Sequence, residues 1–171
     1  MQKNKAQEII CAVRARAATR GINASFSLHC EKSHLMRIGN NSVSLNTSEH
    51  LTRLDIEVIN GRRTGSHTQM GDVTSEEYVE KALQIAVDKA AVASEKDYQP
   101  LSVVLDATVS ENAQYDHALE HLDPAFKADA YQQIIDNVGE EYNFSGSWSS
   151  GSMELFLVST ANEHTMHHYA T

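Results

Sequence analysis

Strict alternation of apolar and polar residues between positions 22 and 31 is the sequence feature that most constrains the fold. The apolar members are Ile22, Ala24, Phe26, Leu28 and Cys30. A period of two residues is typical of a strand with one buried face. Residues 5–20 instead repeat their apolar positions at helical spacing, and Gly21 stands where a helix ends in a left-handed conformation. The chain is therefore predicted to open with a helix, followed by a half-buried strand.

The next stretch predicts an antiparallel meander. Gly39-Asn40-Asn41 supplies residues that tolerate a tight turn, and Asn60-Gly61 is a preferred pair for a two-residue type I′ hairpin. The return strand Arg62–Gln69 is polar on both faces, which favours the edge of a sheet. Three short strands are predicted before it, at His34–Ile38, Ser42–Ser48 and Leu54–Val58.

A second helix is predicted to start after Asp72. Thr74 can cap it while Glu77 reaches back in a capping box, and Val73 and Tyr78 occupy the positions of a hydrophobic staple. Its stripe is rich in alanine, so the helix can lie close to a sheet. The stripe consists of Val79, Ala82, Leu83, Ala86, Ala90 and Ala93. These segments predict an α+β fold, in which helices pack on one face of an antiparallel β-meander sheet.

The remaining residues predict an extension of helices and strands. A helix is predicted for Glu111–Leu122, and Asp123-Pro124 caps and begins another one that ends at Gly139. The predicted buried face of this last helix comprises Phe126, Ala130, Ile134 and Val138. A Ser- and Gly-rich segment then precedes a strand at Met153–Ser159. We therefore predict a helix–meander–helix domain over residues 1–95, with a linker, two helices and strands over residues 96–171.

Composition excludes several classes of protein. The 171 residues include 14 Lys and Arg against 23 Asp and Glu, and a net charge of −9 argues against direct nucleic-acid binding. No apolar run approaches the roughly 20 residues of a membrane span, and the first residues lack a signal core, so a cytoplasmic protein is expected. Cys11 and Cys30 are too few for a disulfide framework and are interpreted as reduced core residues.

Two groups of histidines have spacings that could suit metal ligands. His117 and His121 are one helical turn apart, but Ala118 stands where a metallopeptidase helix carries glutamate, so a solvated face is favoured. In the tail, His164, His167 and His168 meet on one face only in a helix. An extended strand is favoured there, and a strand turns His167 away from the other two.

The other motifs are equally weak. No phosphate-binding loop, dinucleotide turn or nucleophile elbow is present. Ser145-Gly146-Ser147 is interpreted as a flexible turn rather than a nucleophile. Arg62 and Arg63 face opposite ways on a strand, so one is interpreted as solvated and the other as paired with an acidic neighbour. From the residues alone we predict no catalytic, cofactor-binding or metal-binding residue in this chain.

The order of segments nevertheless resembles the N-terminal domain of the TldD/PmbA family, described as modulators of DNA gyrase and zinc-dependent proteases. The segments that carry the resemblance are Arg20-Gly21, Ala24–Leu28, Gly39–Asn41, Leu54–Gly65, Val73–Ala82 and Leu155–Asn162. One departure is Ser159-Thr160-Ala161-Asn162, where the family usually has an Asn-Ser-x-Gly turn.

The resemblance implies a fragment without its metal site. Family members are more than twice as long, and their His-Glu-x-x-x-His motif lies beyond a region like this one. It also implies a homo- or heterodimer with a related subunit, an extended peptide as substrate, and zinc in the full-length protein or its partner subunit. A downstream His-Glu-x-x-x-His motif would favour the peptidase interpretation.

Three functions compete at this stage. The first is the scaffold and peptide- or partner-binding part of a TldD/PmbA-like metallopeptidase involved in proteolytic processing. The second is a non-catalytic regulatory partner subunit of the gyrase-modulator kind. The third is a free-standing metal-binding module using the tail histidines, which metal analysis would reveal. For the first, the polar edge strand Arg62–Gln69 is expected to offer unpaired backbone groups to an extended peptide.

Overall fold

The computed structural model describes residues 2–71, 73–106, 115–138 and 141–171. The helices are α1 (Gln2–Thr19), α2 (Glu76–Val92), α3 (His117–Glu120) and α4 (Pro124–Val138). The strands are β1 (Asn23–Gly39), β2 (Ser42–Asn60), β3 (Arg63–Met70), β4 (Gly146–Ser159) and β5 (Thr165–Ala170). The strands form one antiparallel sheet in the order β3-β2-β1-β4-β5. The predicted α+β fold with helices alongside an antiparallel sheet is confirmed.

The two long strands differ from the prediction. The predicted strands at 22–31 and 34–38 are one continuous strand, β1, and those at 42–48 and 54–58 are both part of β2. No Gly or Pro separates the predicted halves, so nothing in the local sequence interrupts the backbone ladder. Likewise, the segment 145–147, predicted as a flexible turn, lies mostly in β4, which begins at Gly146.

The two hairpin turns have different conformations. Asn40 and Asn41 both have positive φ, 53° and 55°, as the predicted tight turn requires and as a type I′ turn shows. In the second hairpin Asn60 pairs with Arg63, so the loop is Gly61-Arg62 rather than Asn60-Gly61. Only Gly61 has positive φ there, which is the type II′ pattern with glycine first. The predicted type I′ assignment at this position is wrong.

The structure divides into two compact units that are each built from separate segments. Unit 1 comprises Met1–Cys30, Leu51–Glu111 and Glu154–His168, and unit 2 comprises Glu31–His50, Asn112–Met153 and Tyr169–Thr171. The domain boundary predicted between residues 95 and 96 stays a prediction. No helix in the described part of the chain is both long and apolar enough to cross a membrane.

Unit 1 contains the apolar core. The stripes of α1 and α2 pack in one cluster with inward residues of β1, β2 and β4; its largest fully buried members are Phe26, Ile10, Leu54, Ile56 and Leu83. Cys11 and Cys30 are half-buried against this cluster, which places both at the core as predicted. Burial raises the pKa of the Cys11 thiol.

The start of α2 is one residue later than predicted. Ser75, not Thr74, is the N-cap, and its hydroxyl accepts the Tyr78 backbone N–H at 3.2 Å. The predicted capping box and staple therefore do not form at their expected positions, since every cap position shifts by one. The predicted stripe is confirmed from Val79 to Ala90. Asp72 lies outside the described residues.

Unit 2 differs from the prediction in its helices. Only one helical turn, α3, occurs in the described part of the predicted helix 111–122, whose residues 111–114 lie outside the described ranges, as does Gly139. In α4 the predicted buried face is wrong, because Phe126 is 54% exposed and Ile134 40% exposed. Lys127 is buried instead, so the helix is rotated relative to the prediction.

Candidate functional site

The outer edge of β3 is the candidate site. Asn60 and Arg63 close a two-residue hairpin loop, so they form a hydrogen-bonded pair. Because such pairs alternate along an antiparallel ladder, Gly65 and His67 also bond to β2, and the backbone groups of Thr64 and Ser66 point away from it. Among the described residues no strand lies beyond β3, which confirms the predicted edge position.

Gly65 brings α2 directly over this edge strand. A Cβ added at Gly65 would lie 2.2 Å from the Ala90 nitrogen and 2.3 Å from the Ala86 carbonyl oxygen. Any side chain would therefore push the helix away, and only glycine allows so close a backbone approach. The alanine-rich stripe predicted for α2 allows this close packing, since small side chains let the helix lie directly against the strand.

Two side chains of α2 cap outward carbonyl groups of β3. Lys89 Nζ donates to the Ser66 carbonyl at 2.9 Å, and the Tyr78 hydroxyl donates to the Met70 carbonyl at 3.2 Å. Both contacts lie at exposed positions, where a hydrogen bond contributes about 0.5–1.5 kcal/mol. The expectation that the edge offers unpaired backbone groups is thus wrong for these two carbonyls. Protection of this kind is a known way to prevent uncontrolled strand pairing.

Arg62 and Arg63 fix the end of the site next to the hairpin. Arg63 donates to the Ala91 carbonyl at 3.1 Å and forms an ion pair with Glu95 at 3.3 Å, which confirms the predicted acidic partner. The other arginine of the pair was predicted to be solvated; Arg62 is exposed, and its Nε donates to the Lys96 carbonyl at 2.9 Å. Both arginines therefore contact the C-terminal end of α2 or the residues after it.

A polar network lies on β2 beside β3. Asp55 accepts hydrogen bonds from Arg53 Nε at 2.8 Å and from the Thr68 hydroxyl at 2.7 Å. Asp55 is opposite Thr68 in the register, so the second bond crosses the strand pair directly. The network fixes the register of β3 through side chains as well as through the backbone.

The first histidine pair is not arranged as a metal site. His117 begins the one-turn helix α3, and His121 caps its end. Their rings stack with centroids 4.2 Å apart, and His121 Nδ1 donates to the His117 carbonyl at 3.0 Å. One ring nitrogen is therefore engaged by the backbone, which agrees with the favoured interpretation of an exposed helical turn.

The tail histidines lie in or next to β5, as the strand interpretation predicts. His164 precedes β5, while His167 and His168 are neighbours within it and face opposite ways. His167 Nε2 lies 2.7 Å from Glu154 Oε1, and Gln7 Nε2 donates to the same oxygen at 3.1 Å. Sequence reasoning missed this cluster, because Glu154 sits inside an otherwise apolar strand and both of its partners are distant in sequence.

Zinc does not fit the described residues. Zinc sites use three or four His, Cys, Asp or Glu ligands, and no group of three or more that could hold a metal ion occurs in residues 2–71, 73–106, 115–138 and 141–171. No step is therefore assigned to a metal in this chain.

A second feature missed by sequence reasoning is a buried lysine in unit 2. Lys127 is only 7% exposed, and its Nζ donates to the Ser150 hydroxyl at 2.5 Å. Burial lowers the pKa of Lys127. No pattern in the sequence of α4 separates this lysine from a solvated one, since its burial depends on the facing strand.

The fold and the capped edge strand define an α+β domain with helices over one face of an antiparallel sheet. Solved structures of this class cover nearly the whole chain. They include a proposed modulator of a DNA gyrase from Thermotoga maritima (15% identity, TM-score 0.73, 96% of this chain) and TldE from Thermococcus kodakarensis (14%, 0.75, 96%). A third is a proposed modulator of DNA gyrase from Bacteroides thetaiotaomicron (11%, 0.77, 99%). No protein-family model and no curated protein matches the sequence.

These neighbours are proteins of the TldD/PmbA kind, so the resemblance seen in the sequence is confirmed at the level of the fold. Identities of 11–15% carry the comparison no further than the fold. The matched region covers 37–39% of each neighbour, so the chain spans well under half the length of these proteins.

Proposed function

We propose that this chain is the N-terminal scaffold of a TldD/PmbA-like metallopeptidase involved in proteolytic processing, and that it binds an extended peptide or a partner strand along β3. Support comes from the shared fold and from the 37–39% coverage of the neighbours, whose remaining residues have no counterpart in the match. In this proposal a partner subunit or a further part of the protein supplies the metal chemistry.

The observation that carries the proposal is the register of β3. The backbone of Thr64 and Ser66 points away from β2, so an added strand can bond to both residues without disturbing the existing ladder. The Ser66 carbonyl accepts from the flexible Lys89 side chain, which a backbone N–H can replace. Main-chain pairing recognises extended backbone rather than one sequence, as processing of varied peptides requires.

Proline at Thr64 or Ser66 tests this proposal. Thr64→Pro and Ser66→Pro each remove an outward N–H but no bond to β2, so we expect a folded protein whose binding of an extended peptide is weakened at least about tenfold. Isothermal titration calorimetry measures the affinity, and circular dichroism checks the fold.

Thr64→Val is the matched control for these variants. It keeps the backbone N–H and a β-branched side chain, so peptide affinity should equal that of the wild type. Equal affinity of the folded proline variants and the wild type would refute pairing along this edge.

A non-catalytic regulatory partner subunit is the second candidate. It is favoured by the two neighbours that are described as proposed modulators of DNA gyrase. This candidate predicts that the chain binds purified gyrase, whereas the peptide-binding proposal does not predict gyrase binding. Pull-down with gyrase, with and without Ser66→Pro, separates the two functions.

A further inference from the structure

The two flanks of α2 have different neighbours. On one flank Glu76 forms an ion pair with Arg16 of α1 at 2.7 Å. On the other, Tyr78 and Lys89 reach the outward carbonyls of β3. Helical spacing places Ile85, at i+7 from Tyr78, on the same flank, where it is half-buried. An added strand beside β3 would therefore run under a flank with an apolar middle and a cationic end.

Lys89 differs from Arg63, another cation near this edge. Arg63 already has a carboxylate partner, Glu95. Lys89 is exposed, and in the described part of the chain its ammonium group forms no ion pair; its partner is the Ser66 carbonyl. When a peptide N–H donates to the Ser66 carbonyl in place of Lys89, the ammonium group loses its hydrogen-bond acceptor. Its positive charge then lies unpaired beside the bound strand.

We infer that the β3 edge selects extended peptides with a carboxylate on the helix-facing residue next to the one opposite Ser66, and an apolar side chain two residues farther along, beside Ile85. The inference rests on the proposed function. Side chains two residues apart on an added strand share one face, so both groups can reach the same flank of α2. The carboxylate replaces the lost carbonyl acceptor of Lys89 and complements its charge.

The test compares three capped eight-residue peptides of alternating threonine and valine, in which one central valine is replaced by glutamate, glutamine or lysine, so that the residues two positions away on the same face are valines. At low salt we expect the glutamate peptide to bind about threefold to fivefold more tightly than the glutamine peptide, as exposed ion pairs allow. The lysine peptide should bind most weakly. The preference should fall toward zero in 1 M NaCl, where charges are screened over about 3 Å.

Lys89→Gln is the decisive variant, because an amide still donates to the Ser66 carbonyl but carries no charge. It should bind the glutamate and glutamine peptides equally. Lys5→Gln is the matched control, because Lys5 is an exposed lysine on α1, the helix that contacts the other flank of α2. This variant should keep the glutamate preference.

The outcomes separate the inference from the function on which it rests. If the peptides bind, and Ser66→Pro blocks binding, but glutamate and glutamine peptides bind equally, the inference is overturned and edge pairing stands. A glutamate preference that survives Lys89→Gln also overturns the inference. If none of the peptides binds, both the proposed edge pairing and the inference are overturned.

Discussion

Unit 1 and unit 2 use apolar residues in different ways. In unit 1 the stripes of α1 and α2 face the inward residues of β1, β2 and β4, and all members of the large buried cluster belong to this unit. In unit 2 the described buried apolar residues are Met36 and Ile38, whereas Phe126 and Ile134 are largely exposed on α4. Phe126 instead forms a T-shaped pair with the Trp148 ring, with centroids 5.9 Å apart.

The difference shows what stabilises each unit. Burial of apolar side chains contributes roughly 25 cal/mol for each Å² removed from water, so unit 1 has by far the larger hydrophobic contribution. Unit 2 depends more on particular polar contacts, such as Asn41 Nδ2 to the Tyr142 carbonyl at 3.0 Å and Lys127 to Ser150. Substitutions of the same chemical kind should therefore have unequal effects in the two units.

Truncation of a core leucine should show the largest inequality. Leu83 is fully buried in unit 1, so Leu83→Ala should lower the free energy of unfolding by about 2–5 kcal/mol, because it leaves a cavity. Ile134→Ala, on the exposed part of α4, should cost less than about 1 kcal/mol. Urea denaturation measures both values, and equal losses would break the comparison between the units.

Adding one methyl group to a strand glycine should give the next largest contrast. Gly65→Ala should destabilise by about 1–3 kcal/mol, because its Cβ meets backbone atoms of α2. Gly146→Ala in unit 2 meets only the Phe144 ring, at 3.6 Å, and should stay within about 0.5 kcal/mol of the wild type. Thermal unfolding compares them, and a neutral Gly65→Ala would show that α2 can shift at no cost.

The smallest effect concerns the buried lysine of unit 2. Burial lowers the pKa of Lys127 from its ordinary value of 10.5, so between the lowered pKa and 10.5 the unfolded chain binds more protons than the folded one. The contribution of this group to the free energy of unfolding therefore rises with pH across that window. Lys127→Met should be the more stable protein at neutral pH, by less than about 1 kcal/mol, and the difference should shrink toward pH 10.

Urea midpoints at several pH values measure that difference. Lys32→Met removes an exposed lysine from the same unit and controls for net charge. A difference between the Lys127 variant and the wild type that is independent of pH would contradict the assignment.

Local patterns predict much of the fold. The helix before Gly21, the alternation that starts β1, the turn at Asn40-Asn41 and the stripe of α2 all depend on neighbouring residues, and each is confirmed. The length of β1 and β2 could not be predicted, because continuation of a strand depends on its partner strands. The orientation of α4 depends on the facing strand β4, where Ser150 accepts the Lys127 ammonium.

The candidate site could be predicted only in part. The polar composition of β3 is enough to place it at an edge, since it lacks an apolar face. Its protection by Lys89 and Tyr78 could not be predicted, because it depends on where α2 crosses the strand. That crossing is determined by the contact at Gly65, and a lone glycine in a polar strand gives no such signal.

The contact at Gly65 also limits which other positions can compensate for a change there. The atoms that a Cβ would meet are the nitrogen and Cα of residue 90 and the carbonyl oxygen of residue 86, which every amino acid possesses. Replacing Ala86 or Ala90 with a smaller residue therefore cannot make room. A search for suppressors of a Gly65 variant should yield only true revertants or changes that relocate the whole helix.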